Sequence, residues 1–187
     1  MIHDSHPVAQ DVTLRPAALT DAHSLAAVLV RNRAYMAPWE PIRTEAFYTP
    51  EGQAVRLTSM LVERNAGRSM PWVLADGEDR AIGAVTFNSI VRGPLRSAGL
   101  GYWVDADRAG QGLTTAAVRV VCDIARDELG LHRVSAGTAL DNVASQRVLA
   151  KCGFEHIGTA PRYLHINGEW RDHRLFQRIL HNDPPRD

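Results

Sequence analysis

The junction that most constrains this fold is a strand that runs through two glycines into a helix. Ala98 to Asp105 carries Tyr102, Trp103 and Val104 in a strand pattern, and Arg108-Ala109-Gly110-Gln111-Gly112-Leu113-Thr114-Thr115-Ala116 follows at once. A helix then extends to about Leu129, with Val118, Val121, Cys122 and Ala125 on its apolar face and Gly130 as its stop. The first turn of a helix leaves N–H groups unpaired and carries a partial positive charge. Glycines ahead of it let a phosphate approach the main chain closely. Each N–H donated to a phosphate oxygen is worth about 1.5–3 kcal/mol, and Thr114 and Thr115 add hydroxyl donors. Taken alone, the two glycines also fit a plain tight turn. The loop is not a Walker loop, because no Gly-Lys-Ser/Thr follows, nor a dinucleotide fingerprint, because the βαβ unit with a late acidic residue is missing. A phosphate held without Lys or metal points to a diphosphate clamped by backbone groups.

The surrounding pattern is α/β. Asp11 to Arg15 alternates as a strand that Pro16 ends. Thr20 is read as the cap of a helix running to about Arg33, and Tyr35 to Pro41 as a stiff loop between prolines. Thr49-Pro50-Glu51 starts a second helix, with Ala54, Leu57 and Leu61 on its buried side and Gly67 at its end. Trp72–Ala75 and Ala81–Ile90 read as a hairpin closed by Asp76-Gly77-Glu78-Asp79. Arg133 to Gly137 is a strand, Asn142 opens a helix through Lys151 that Gly153 stops, and Phe154–Gly158 and Arg174–Ile179 are closing strands. Hairpins followed by strand–helix–strand–helix–strand predict a mixed sheet.

A chain of 187 residues points to one domain, here 11–180, with flexible ends at 1–10 and 181–187. It can bury ~70% of its unfolded surface and needs no disulfide or metal to fold. With 21 basic and 21 acidic residues it lacks the charge of a nucleic-acid binder. No basic and apolar leader opens the chain, and no stretch approaches the ~20 apolar residues of a membrane helix. Cys122 and Cys152 lack CxxC spacing and sit in apolar helical patterns, so free thiols in a reducing cytoplasm are expected. The histidines show no metal-ligand spacing, and His3 and His6 are read as disordered-end residues.

A second signal lies about 30 residues past the glycine loop. Asn142 and Ser145 are three apart on one side of a helix start. An N-cap and a polar first-turn residue account for them as well as ligand contacts do.

Together these pieces resemble the GCN5-related N-acetyltransferase (GNAT) superfamily, and within it the RimJ/RimL-type ribosomal-protein acetyltransferases. The resemblance rests on Gly101-Tyr102-Trp103-Val104 leading into Gly110-Gln111-Gly112-Leu113-Thr114-Thr115-Ala116, on Asn142-x-x-Ser145 through Lys151-x-Gly153-Phe154, and on Arg162-Tyr163-Leu164-x-Ile166-x-Gly168-x-Trp170-x-Asp172-His173. It spans Thr13 to Ile179. It implies a mixed, mostly antiparallel sheet, α/β (α+β) in class, with a splayed strand pair and flanking helices. Acetyl-CoA would wedge between the strand of Tyr102–Val104 and that of Arg133–Gly137. Trp103 and Val104 would pair with the pantetheine arm, and the N–H groups of Ala109, Gly110, Gln111, Gly112, Leu113, Thr114 and Thr115 would take the pyrophosphate. Asn142 would touch the pantetheine or adenosine side, and Ser145 would protonate the leaving thiolate. Two positions depart from the pattern. Ala109 stands where the superfamily often has Gln or Arg, which leaves the backbone contribution intact. Arg162 stands where some RimL-type enzymes carry Glu, so no general base is carried over there.

The implied reaction is direct attack of an amine on the thioester; no Cys–His or Ser–His–Asp set is present. An α-amine has a pKa of ~7.7–8.0 against ~10.4 for Lys, so deprotonating it costs ~3.5 kcal/mol less. A chain without an obvious strong base therefore suits N-terminal amines. The expected proton acceptor is water, ordered by Glu40 and by central-strand groups such as Asn88. Glu40, between Trp39 and Pro41, is expected to have a raised pKa in this role, against the alternative of a solvated loop carboxylate. Tyr35, Met36, Trp39 and Tyr163 are expected around the acceptor groove, with core packing as the other reading. Arg92 and Arg96 fit a solvated turn better than a peptide-steering role. The leading function is acetyl-CoA-dependent acetylation of a protein N-terminus in the cytoplasm. Acetylation of a small amine or antibiotic, or acyl-CoA binding without turnover, stays open. Homodimers are common in the superfamily, and no stretch here demands one.

Overall fold

The computed structural model describes residues 4–184. The chain opens with β1 (His6–Ala9) and β2 (Val12–Pro16), paired antiparallel, so the residues read as a loose start include an edge strand. Met1 to His3 lie outside the described residues, as do Pro185 to Asp187. After Pro16 the chain turns into α1 (Ala22–Arg31) through a short 3-10 turn. The sequence predicts Thr20 as the cap; the structure puts Asp21 at that position, and its side chain turns back to the preceding 3-10 turn instead of to the amides of α1. Its Oδ2 accepts from the Ala18 amide at 2.8 Å, and its carboxylate takes two bonds from Arg15, at 2.7 and 3.1 Å.

α1 stops at Arg31, two residues earlier than its pattern predicts. Asn32 is buried and spends its side chain outside the helix. Its Nδ2 donates to Val28 O and to Asp105 Oδ1, both at 2.8 Å, and its Oδ1 accepts from the Ala106 amide at 2.8 Å. The segment expected as a loop is mostly helical turns: α2 (Arg33–Met36), then a 3-10 turn over Ala37–Trp39 with Pro38 near its start. α3 (Pro50–Asn65) follows as predicted, with Thr49 Oγ1 accepting from the Gly52 amide at 3.1 Å.

The remaining elements are β3 (Met70–Asp76), β4 (Ala81–Val91), β5 (Ser97–Val104), α4 (Leu113–Asp127), β6 (Arg133–Ala139), α5 (Val143–Lys151), β7 (Glu155–Ile166) and β8 (Glu169–Ile179). All eight strands form one sheet in the order β1-β2-β3-β4-β5-β6-β8-β7. Only β5 and β6 run parallel. The architecture is the mixed, mostly antiparallel sheet flanked by helices that the resemblance implies.

Strand alternation divides the core into two layers. Trp72, Leu74, Val85, Phe87 and Leu100 pack against Val118, Val121 and Cys122 of α4 and Leu149 of α5. Val73 and Ala81 pack on the opposite face against Leu25 of α1 and Leu57 of α3, with Trp103 beside them. Both cysteines are buried and free, and burial pushes the Cys122 thiol up to about 12.

β7 and β8 form one long hairpin, where the sequence reading sees two separate short strands. The turn is Asn167-Gly168, with φ of +48° and +86°, the pair of left-handed conformations that a two-residue hairpin turn requires. A bulge between Ala160 and Leu164 breaks the alternation, and Asp172 Oδ1 accepts from the Arg162 amide there at 2.8 Å. His181 is also held: its carbonyl lies 2.6 Å from His132 Nδ1, so the tail read as loose is anchored at its start.

Asp105 links α1 to the loop after β5. Burial raises the pKa of its carboxyl, but bonds from Arg31 and Asn32 outweigh that and hold it below the ordinary carboxylate range. A depressed folded-state pKa contributes stability above the unfolded-chain value of ~3.9, and that stability is lost as pH falls through the lower folded value. Asp105→Asn is therefore expected to cost about 2 kcal/mol at pH 7, roughly 4–8 °C in Tm for a chain this size. Thermal melts from pH 7 to pH 3 should show the gap to wild type closing on the acid side.

Candidate active site

β5 and β6 are paired only at Ser97–Gly99 against Arg133–Ser135. Beyond those rungs β5 stays with β4 out to Val104, and β6 stays with β8 out to Ala139. The sheet therefore opens between Leu100–Val104 and Ala136–Ala139. β4 carries a bulge between Asn88 and Val91, with Ser89 at φ +50°, and such a bulge steepens local twist where the two strands part.

On the helical side of this opening a groove runs past Tyr102, Trp103 and Val104 to Ala109, Gly110 and Thr114, with Asn142, Ser145 and Val148 as its far wall. Its upper end is the glycine loop. Gly110 and Gly112 have φ of +75° and +82°, and a Cβ on either would meet nothing within 4 Å. These glycines serve backbone conformation, not tight packing. The first helical bond at this end is from the Ala116 amide to Gly112 O, at 3.0 Å. The six consecutive amides from Gly110 to Thr115 have no hydrogen-bond partner among the described residues, and no side chain caps α4. Of the side chains, Leu113 is buried in the core and Gln111 bonds Asp107 O at 3.2 Å, so these two offer their amides alone. Arg108 is paired with Asp11 at 2.7 Å. A row of free amides at the positive end of a helix dipole is suited to an anion, and a diphosphate matches its length.

Ser145 lies at the middle of the groove. Its Oγ is 2.8 Å from the hydroxyl of Tyr102, a partner the sequence reading missed. Burial pushes the Tyr102 phenol up to about 12, so it stays a proton donor at neutral pH. The only signal for this pair was Tyr102 standing on the strand face that α5 covers. Asn142 acts as the N-cap, its Oδ1 accepting from the Ser145 amide at 3.0 Å, and it also lines the groove.

A second cavity lies in the opening itself, between Trp39, Gly101, Gly137, Leu164, Ile166 and His173. Trp39 borders both cavities, and Tyr35 and Met36 border the first. Met36 is buried and Tyr35 half exposed, so only the latter keeps a free face. Tyr163 is half exposed, with its ring over Gly137. Asn88 does not line either cavity; it is exposed, with Nδ2 beside Gly101. Glu40 borders the groove with Oε2 3.7 Å from Arg43 Nε. The hairpin tip closes this side, through Asn167 N to Glu40 O at 2.9 Å and Arg171 Nη1 to Pro38 O at 3.4 Å. That contact also escaped the sequence reading, although Asn-Gly marked the turn. No group of His, Cys, Asp and Glu among the described residues is arranged to hold a metal ion.

A split sheet with an uncapped helix beside the split is an arrangement suited to an extended, phosphate-bearing ligand. The profile of the acetyltransferase (GNAT) domain matches residues 11–155, and the chain belongs to that family. It is 37% identical over 173 residues to the probable N-acetyltransferase YjcK of Bacillus subtilis, covering 92% of this chain and 95% of that one. Among solved structures, ribosomal-protein-S5-alanine acetyltransferase from Vibrio fischeri superposes with a TM-score of 0.92 at 35% identity, covering 97% of this chain and 100% of that one. Mycobacterium smegmatis RimJ in complex with CoA-disulfide superposes with a TM-score of 0.87 at 31% identity, over 94% and 85%.

Removing the Tyr102 hydroxyl isolates the Ser145 contact. Tyr102→Phe is expected to cost about 1 kcal/mol of stability in thermal melts, the value of one part-buried hydrogen bond.

Proposed function

We propose that this protein transfers the acetyl group of acetyl-CoA directly to the N-terminal α-amine of a protein, an alanine-type terminus in particular. The observation that carries the reading is the run of free amides from Gly110 to Thr115 at the head of a groove that leads into the split sheet. Acetyl-CoA is consumed as a substrate, and its parts match the groove in order. The diphosphate meets the amide run. The pantetheine arm carries two amides and lies against the unpaired edge of Trp103 and Val104, as an added strand would. The thioester then falls in the opening between β5 and β6.

Ser145 and Tyr102 stand where the leaving sulfur emerges, and the Ser145 hydroxyl supplies its proton. The acceptor side is built for a chain terminus. Gly101 and Gly137 leave room for main chain, and Trp39 and Tyr163 flank the slot. Glu40, on the same margin, offers a carboxylate to the incoming ammonium. The Vibrio fischeri enzyme is named for an alanine of ribosomal protein S5, a residue small enough for this slot. The need to remove a proton without a strong carboxylate base favours an α-amine over lysine by ~3.5 kcal/mol. No helix among the described residues is long and apolar enough to cross a membrane. Buried free thiols and an acetyl-CoA requirement favour a cytoplasmic location.

Thiol release from acetyl-CoA is the direct test. Peptides with free N-terminal alanine or serine should react faster than N-blocked lysine peptides, free amino acids and aminoglycosides. A preference for any of the last three overturns the acceptor assignment, and no release with any amine leaves an acyl-CoA-binding protein. Gly112→Val forces a side chain into a left-handed backbone and disturbs the amide run. It should weaken CoA binding at least tenfold by calorimetry, with the wild-type stabilisation of about 2.7 kcal/mol at 100 times the dissociation constant correspondingly reduced. Ser145→Ala should lower kcat about 100-fold with CoA affinity nearly unchanged.

A further inference from the structure

The opening between β5 and β6 reaches both faces of the sheet, and the faces carry different groups. On β6, Val134 and Ala136 lie in the core under α4, so Gly137 and Ala139 face the other way. On β8, Phe176 belongs to that same core, so Leu175 and His173, the ladder partners of Gly137 and Ala139, face with them. On β5, Tyr102 reaches Ser145 on the α5 side, which turns Gly101 toward the face of His173. One face thus holds the Ser145–Tyr102 pair, and the other holds an imidazole.

His173 is only 4% exposed, yet it lines the cavity. Its Nδ1 lies 3.0 Å from the carbonyl oxygen of Arg171. A carbonyl only accepts, so Nδ1 carries the hydrogen and Nε2 keeps its lone pair. Nε2 has no hydrogen-bond partner among the described residues. The ring is turned to the gap at Gly137: a Cβ there would stand 3.7 Å from His173 Cδ2. The Tyr163 ring packs 5.5 Å from the imidazole, holding it in place.

We propose that His173 accepts the proton of the attacking amine, from the face of the sheet opposite the Ser145–Tyr102 pair. The proposal rests on the amine-acetylation reading above. As the neutral amine attacks the carbonyl carbon, the C–N bond forms and one N–H proton passes to Nε2. The C–S bond breaks with its electron pair on sulfur, and the Ser145 hydroxyl gives sulfur a proton that Tyr102 replaces. His173 then releases its proton to solvent, Tyr102 regains one, and the products are an amide and a free thiol. The ionisable groups around His173 are already engaged or weak. Tyr163 on β7 is a phenol. On β8 itself, Arg171 is paired with Asp141 at 3.0 Å, and Asp172 holds the Arg162 amide at 2.8 Å. Glu40, on the segment capped by the hairpin tip, lies beside Arg43, and β6 contributes only Gly137 and Ala139 opposite the ring.

The test uses the full chain, saturating acetyl-CoA and two acceptor peptides, one ending in alanine and one in a fluorinated alanine whose amine is already neutral. With the second peptide any rise of kcat/KM with pH belongs to the enzyme. Wild type is expected to keep such a rising limb, and His173→Asn, whose amide can still donate to Arg171 O, should lose it along with about 100-fold of the rate. Imidazole in the buffer should restore part of the rate to His173→Ala, and CoA affinity by calorimetry should stay within twofold in both variants. A wild type without the limb overturns the proposal before any variant is made. So does His173→Asn with an unchanged profile. If His173→Asn loses its CoA heat, the same profile is read on His173→Gln, and an unchanged limb there is equally decisive. Wild-type preference for lysine peptides would overturn the acceptor assignment instead, and the limb would then be read with that acceptor.

Discussion

A pairing that stops organises this protein. β5 and β6 share the rungs from Ser97–Gly99 to Arg133–Ser135 and then part, while each keeps its other neighbour. An unpaired backbone group inside a protein costs about 1–3 kcal/mol, so two facing open edges in mid-sheet persist only where something else supplies partners. The sheet tolerates the break because β3–β4–β5 and β6–β8–β7 are each held by their own ladders, and α4 and α5 span the gap on one face. The edge left bare suits an extended ligand with amides of its own. In the proposed function, binding of that ligand and completion of the sheet are one event.

The Asp105 cluster determines how accurately the other end of that ligand is met. Asp105 is 3% exposed and receives Asn32 and Arg31 from the end of α1, while Asn32 returns a bond to the Ala106 amide. These contacts join the start of the amide loop to the element that continues into Met36 and Trp39. The glycine loop and the segment of Met36 and Trp39 are therefore tied together through one buried carboxylate. A substitution at Asn32, far from any reacting atom, should be felt by both substrates.

What was legible in the sequence follows the reach of each signal. The strand before Gly110, the helix after Gly112 and the cap of Thr49 on α3 are local, and local residue chemistry marks them. Asn142 was open between cap and ligand contact because both use the same side chain, and the structure shows the cap with the groove alongside. The end of α1 was misread because Asn32 is spent on Asp105, a partner 73 residues away that no periodicity reveals. The β7–β8 hairpin was half seen, since Pro161 and the bulge at Arg162 interrupt its alternation while Asn167-Gly168 still marks its turn. His173 appeared only as the last letter of a motif. Its place in the cavity depends on two small residues far away in sequence, Gly137 on the strand paired with its own and Gly101 across the gap.

Placing proton acceptor and proton donor on opposite faces has a consequence for the acceptor itself. The sheet separates the two groups, so the proposal has the amine reach the thioester from the His173 side, through a slot floored by Gly101 and Gly137. The imidazole is backed by the Arg171 carbonyl, not by a carboxylate. An α-amine costs ~3.5 kcal/mol less to deprotonate than a lysine, so in the proposed reaction it asks less of whatever group takes the proton. Under the proposal the room left by Gly101 and Gly137 and the lower cost of deprotonating an α-amine favour the same acceptor by separate physical routes.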